Sequence, residues 1–165
     1  MLRQRGSLLF MAIMLTGLLS LLVLSQMQLI LLHIKAVNQV IDRHKTLAEL
    51  EQAAQRLLLR DRADCVQRGD DPNVSIARLK RQDGCLYHEQ ARSYRYRMED
   101  LGVIPCLYSV VKGKKFGSHH WRLTIAAASG QLLQLRFAKT AAYLPCERHV
   151  ESGIKTGILS WRSLG

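Results

Sequence analysis

The sequence predicts an α+β fold: one long N-terminal helix, its first half crossing a membrane, packed on a small antiparallel β-sheet. Three observations predict it. Leu8 to Leu24 are apolar or small except Thr16 and Ser20, and the run resumes at Leu29 to Leu32. Between Ser7 and Arg62 there is no proline and only one glycine, Gly17, so nothing in that stretch breaks a helix. Beyond residue 93, apolar and polar residues alternate in three segments, which is the period of a half-buried strand.

The apolar run sets the first element. About 20 apolar residues cross the roughly 30 Å hydrocarbon core of a bilayer, and no charge lies between Arg5 and His33. Arg3 and Arg5 flank the run, which predicts a single pass with a cytoplasmic N-terminus and a periplasmic C-terminal domain. A secretory signal would need a small-residue cut site, and Val23-Leu24-Ser25 is a mediocre one. Ile34, Val37, Ile41, Leu47, Leu50, Ala54, Leu57 and Leu58 continue at spacings of mostly three or four, an apolar stripe along the same helix. At about 1.5 Å per residue the rod is roughly 80 Å long. Asp61, Asp64 and the cluster Arg68-Gly69-Asp70-Asp71-Pro72 are read as its stop. The chain thus divides into a basic leader (1–6), a membrane half (7–33), an amphipathic half (34–62) and a globular part (63–165).

In the globular part, Tyr94, Tyr96 and Met98 share one strand face, as do Trp121, Leu123, Ile125 and Ala127, and again Leu133, Leu135 and Phe137. Ser129-Gly130 predicts a hairpin turn between the last two. Pro105 to Val111 predicts another strand, Lys112 to Gly117 a basic loop, and Ile158 to Trp161 a short final strand. The expected sheet has three to five strands packed on the second half of the helix.

Four cysteines, Cys65, Cys85, Cys106 and Cys146, all follow the apolar run, where an oxidising compartment favours two disulfides. Three connectivities are open; Cys65–Cys85 with Cys106–Cys146 closes the most local loops. The competing reading takes the Cys-x-x-His pairs Cys85/His88 and Cys146/His149 as zinc ligands, and would strand Cys65 and Cys106. No metal and no cofactor is expected. His119-His120 is read as a surface pair.

Lysine and arginine number 24 against 13 acids, a formal net charge of +11, which suits anionic partners. Lys112, Lys114 and Lys115, near Arg92, Arg95 and Arg97, could hold nucleic-acid phosphates, with Tyr94, Tyr96 and Trp121 for stacking. The same aromatics alternate as a buried strand face does. No nucleophile elbow, phosphate loop or suggestive carboxylate pair occurs, so the sequence reads as non-enzymatic.

Arg3-Gln4-Arg5-Gly6, then Ser7 and a leucine-rich helix with a polar break at Ser25-Gln26-Met27, resembles the prepilin leader and helix of type IV pilin-like proteins. The resemblance is firmest over the first 40 residues. Tyr94–Leu101 and His120–Thr124 also look like C-terminal strands of the PilX-type minor pilins. It implies cleavage by prepilin peptidase between Gly6 and Ser7 and methylation of the new Ser7 amine. Pilins usually carry glutamate at the fifth mature position, and here Met11 stands there. That departure is shared by PilX-type minor pilins and by one longer minor pseudopilin of type II secretion. It implies a place in a priming or tip complex. The implied partners are other minor pilins, the major pilin and the inner-membrane assembly machinery, with the pilus as the final location. The alternatives are a minor pseudopilin of type II secretion and a permanently anchored periplasmic module that binds DNA or another anionic partner.

Overall fold

The structure is a computed structural model, and it describes residues 5–59, 65–69, 71–89, 91–146 and 150–164. Its elements run α1 (Arg5–Leu59), β1 (Val66–Arg68), α2 (Pro72–Lys80), β2 (Cys85–Glu89), β3 (Arg92–Val111), β4 (Lys114–Ala127), β5 (Leu132–Ala141), β6 (Ser152–Gly153) and β7 (Gly157–Leu164). The architecture is α+β. The chain divides into two compact units between His44 and Lys45, so helix residues 45–59 belong with the sheet.

In the first unit, every large apolar side chain from Leu9 to Leu32 is exposed along an unbroken helix. Thr16 Oγ1 donates to the carbonyls of Ala12 (3.0 Å) and Ile13 (2.9 Å), and Ser20 Oγ donates to Thr16 O at 2.9 Å. The two hydroxyls inside the apolar run are therefore satisfied by their own helix, which a segment without water around it requires. This is the one helix, among the described residues, long and apolar enough to cross a membrane.

In the second unit, Leu50, Ala53, Ala54 and Leu57 of α1 are buried with Tyr87, Tyr94, Tyr96, Leu123, Ile125, Leu133, Leu135 and Phe137 of the sheet. The strand faces read from alternation are the faces that make this core. Arg56 pairs with Glu89 and Arg92 with Glu49, tying α1 to β2 and to the start of β3. The helix stripe packs here only from Leu47 onward; Ile34, Val37 and Ile41 lie in the first unit and are exposed. The helix is described as far as Leu59, and Asp61 and Asp64 of the expected stop lie outside the described residues.

The sheet is mostly antiparallel, with seven strands among the described residues rather than three to five. Its main path is β1-β3-β4-β5-β7, while β2 and β6 also pair with β3. β1 and β6 run parallel to β3, so the sheet is mixed. Pro105 does not begin a separate strand. β3 runs through it, and the pairing of β3 with β4 lapses between Val103 and Tyr108, where a residue without an N–H breaks no ladder bond. Ser129-Gly130 does turn β4 into β5, with Gly130 at φ 87°.

Asp71-Pro72, expected to end α1, instead starts a second helix. The Asp71 carboxylate accepts from the Asn73 N–H at 2.9 Å, and Pro72 occupies the first helical position, where its missing N–H costs nothing. α2 lies against β3 and β4 on the face opposite α1, where its Leu79 is buried above Gly84.

Candidate functional site

Two regions carry the residues singled out by the sequence: the N-terminal stretch of α1, and the end of the sheet where β3 turns into β4. Gly6 and Ser7 lie within the first turn of α1, while Met1 to Gln4 of the leader lie outside the described residues. Met11 is 68 % exposed on this helix, between Phe10 and Ala12. An uncharged thioether here adds to the apolar surface, where a carboxylate would need a cationic partner before it could enter a bilayer.

Cys65 is bonded to Cys85, with Cα atoms 6.3 Å apart, and Cys106 to Cys146, at 4.8 Å. The cysteines of both Cys-x-x-His pairs are thus committed to sulfur; His149 lies outside the described residues.

The predicted basic loop is smaller than expected. Lys112 and Gly113 alone form the turn, at φ 50° and 77°, and Lys114 to Gly117 already belong to β4. Two consecutive positive φ values match the right-handed twist of the strands they join, and lysine at the first of them is strained. Gly117 is required by a close approach, because a Cβ there would sit 2.1 Å from the Ala142 carbonyl oxygen.

Lys115 points into a cluster that sequence reasoning missed. Its Nζ lies 3.0 Å from Glu151 Oε2 and 4.5 Å from the centre of the Tyr108 ring, and the Tyr143 hydroxyl donates to the same carboxylate. The Tyr143 and Lys115 hydrogen bonds hold the Glu151 carboxyl below its ordinary range, and the Glu151 hydrogen bond pushes the Lys115 ammonium up. Lys115 is therefore engaged within the chain, separate from Lys112 and Lys114. The arginines of the predicted phosphate surface are also committed. Arg92 pairs with Glu49, Arg95 Nη1 donates to Gln82 O at 2.8 Å, and Arg97 is buried against Gln67. Tyr94 and Tyr96 lie in the core, and Trp121 stacks between His119 and Phe137, so these rings do not face solvent as a base-stacking row.

His119 and His120 point to opposite faces of β4. His119 bonds Asp100, whose carboxyl is pushed up by partial burial but ends below its ordinary range because His119 and the Gly102 N–H, at 2.7 Å, bind it. His120 is buried, with Nε2 3.0 Å from Ser118 Oγ and with Nδ1 unpartnered among the described residues. Burial first, and then the Arg136 and His119 charges, lower its pKa. The folded chain thus holds His120 neutral, whereas an unfolded histidine takes a proton below about pH 6.5. The stabilisation is complete above that value and is lost as pH falls below it. Denaturation between pH 7.5 and 5 should show stability falling with acid, and His120→Gln should flatten the fall; superimposable profiles would contradict the assignment.

The polar face of the sheet also holds Glu99 and Arg122, joined by two bonds of 2.7 and 2.9 Å, and a Thr124–Gln134–Arg162 chain with both links at 2.9 Å. No protein-family model, curated protein or solved structure matches this chain at a significant level. The functional reading therefore stands on the residues themselves.

Proposed function

We propose that this chain is a minor pilin of the PilX type, a non-enzymatic subunit that works by joining a type IV pilus assembly. The observation that carries the reading is a single unbroken helix, apolar and unpartnered at one end and docked on a disulfide-tied sheet at the other. A rod of that kind suits storage in a bilayer, where lipid covers Leu9 to Leu32, followed by transfer into a bundle of neighbouring helices. Arg3 and Arg5 hold the leader on the cytoplasmic side, and Gly6 offers prepilin peptidase a small residue beside Ser7. Met11 removes the charge that would pair with a neighbouring subunit's terminal amine, which fits a priming or tip position better than repeated incorporation.

Deleting the chain should lower surface pili by about tenfold or more, and complementation with Met11→Glu should restore no more pili than the parent chain does. Normal pilus numbers in the deletion strain, counted by electron microscopy, would refute the initiating role.

A further inference from the structure

β7 ends the sheet, and among the described residues no strand pairs with its outer edge. Eight residues of backbone, Gly157–Leu164, present their outward N–H and C=O groups to solvent. Both faces are bare as well. Leu135 of β5 is 4 % exposed, whereas its register partner Trp161 is 57 % exposed, and Ile158, opposite the buried Phe137, is 46 % exposed. Soluble chains commonly protect such an edge with lysine, proline or a covering loop. Here the sequence GILSWRSL has neither proline nor lysine.

The two faces differ in character. Ile158 and Trp161 lie on the face of Leu135 and Phe137 and extend the apolar core outward. Ser160 and Arg162 lie on the other face with Arg136, which is exposed beside Ser160. β5 and β7 together contain Arg136, Lys139 and Arg162 and no acidic residue. A second copy would bring another edge that carries arginine and no acid, in a chain already at +11, so the charge favours an acidic partner over a self-pair.

We infer that the β7 edge receives an extended strand from a different protein, apolar on the side facing Ile158 and Trp161 and acidic on the side facing Arg136 and Arg162. Backbone hydrogen bonds hold that strand, and alternation of its side chains selects it. The inference is independent of the pilin reading, since it needs neither cleavage at Gly6 nor a filament.

The test uses the full chain in detergent micelles and short capped peptides in which valine alternates with glutamate or with lysine. Amide exchange across residues 157–164 should slow about tenfold or more with the glutamate peptide. The glutamate peptide should bind about tenfold more weakly once N-methylated on alternate residues, or to the doubly substituted Ile158→Lys/Trp161→Lys chain. Arg136→Glu should reverse the preference in favour of the lysine peptide, a result that misfolding cannot imitate. Equal binding of both peptides, binding unaffected by N-methylation, no binding at all, or a peptide-independent dimer lost in Trp161→Lys would each overturn the inference.

Discussion

Arg122→Met should destabilise the globular unit by roughly 3–5 kcal/mol, because it leaves the Glu99 carboxylate buried without its cation. Arg122 and Glu99 are 6 % and 1 % exposed, and the guanidinium grips both carboxylate oxygens. Two charges out of water on the centre of a sheet offset much of each other's desolvation cost. Removing both is a different experiment: Glu99→Leu with Arg122→Met exchanges the pair for apolar packing, and should recover most of the loss. Thermal unfolding distinguishes them, with the single variant melting roughly 10–20 °C lower and the double variant close to the parent chain. A single variant as stable as the double would mean that water reaches Glu99.

Loss of the Cys106–Cys146 bond should cost about 4 kcal/mol and loss of Cys65–Cys85 about 3 kcal/mol, from the chain entropy that each loop returns to the unfolded state. The sequence separations are 40 and 20 residues. The longer loop also holds the segment between β5 and β6 to the irregular part of β3, where Cys106 has φ 68°. Among the described residues that region is otherwise tied by the two-residue pairing of β6 with Leu107 and Tyr108, by the Ile154 N–H donating to Tyr108 O at 2.8 Å, and by Glu151 with Lys115 and Tyr143. Paired serine variants, unfolded in urea, should therefore rank with Cys106→Ser/Cys146→Ser the weaker. Equal stability of reduced and oxidised protein would show that the bonds are incidental to the fold.

The helix and the inward strand faces were legible because each follows from a period. Leu50, Ala54 and Leu57 recur at helical spacing, and Tyr94, Tyr96, Leu123, Ile125, Leu133 and Leu135 alternate, so the core face of every long element could be read in one dimension. α2 was hidden because Asp71-Pro72 serves equally as a helix end and as a helix start; the cap geometry decides, and that is three-dimensional. Glu99, Arg122, Thr124 and Gln134 alternate out of phase with the apolar core face, and nothing in one dimension marks them as buried, yet all four are. β1 and β6 are too short to carry any period, and both pair in parallel with a strand distant in sequence. Lys115 could not be separated from Lys112 and Lys114 without Glu151, which lies 36 residues away and is brought beside it by the tail. Among the described residues, the apolar start of α1 packs against nothing and no strand pairs with the outer edge of β7.

The measurement that bears most directly on the proposed function is the intact mass and N-terminal sequence of the membrane-extracted protein, from cells with and without prepilin peptidase. The account predicts a mature chain beginning at methylated Ser7 when the peptidase is present, and a chain that keeps Gly6 when it is absent. A chain that retains Met1 to Gly6 in both strains would contradict it, and would make the helix a fixed membrane anchor for a periplasmic binding domain.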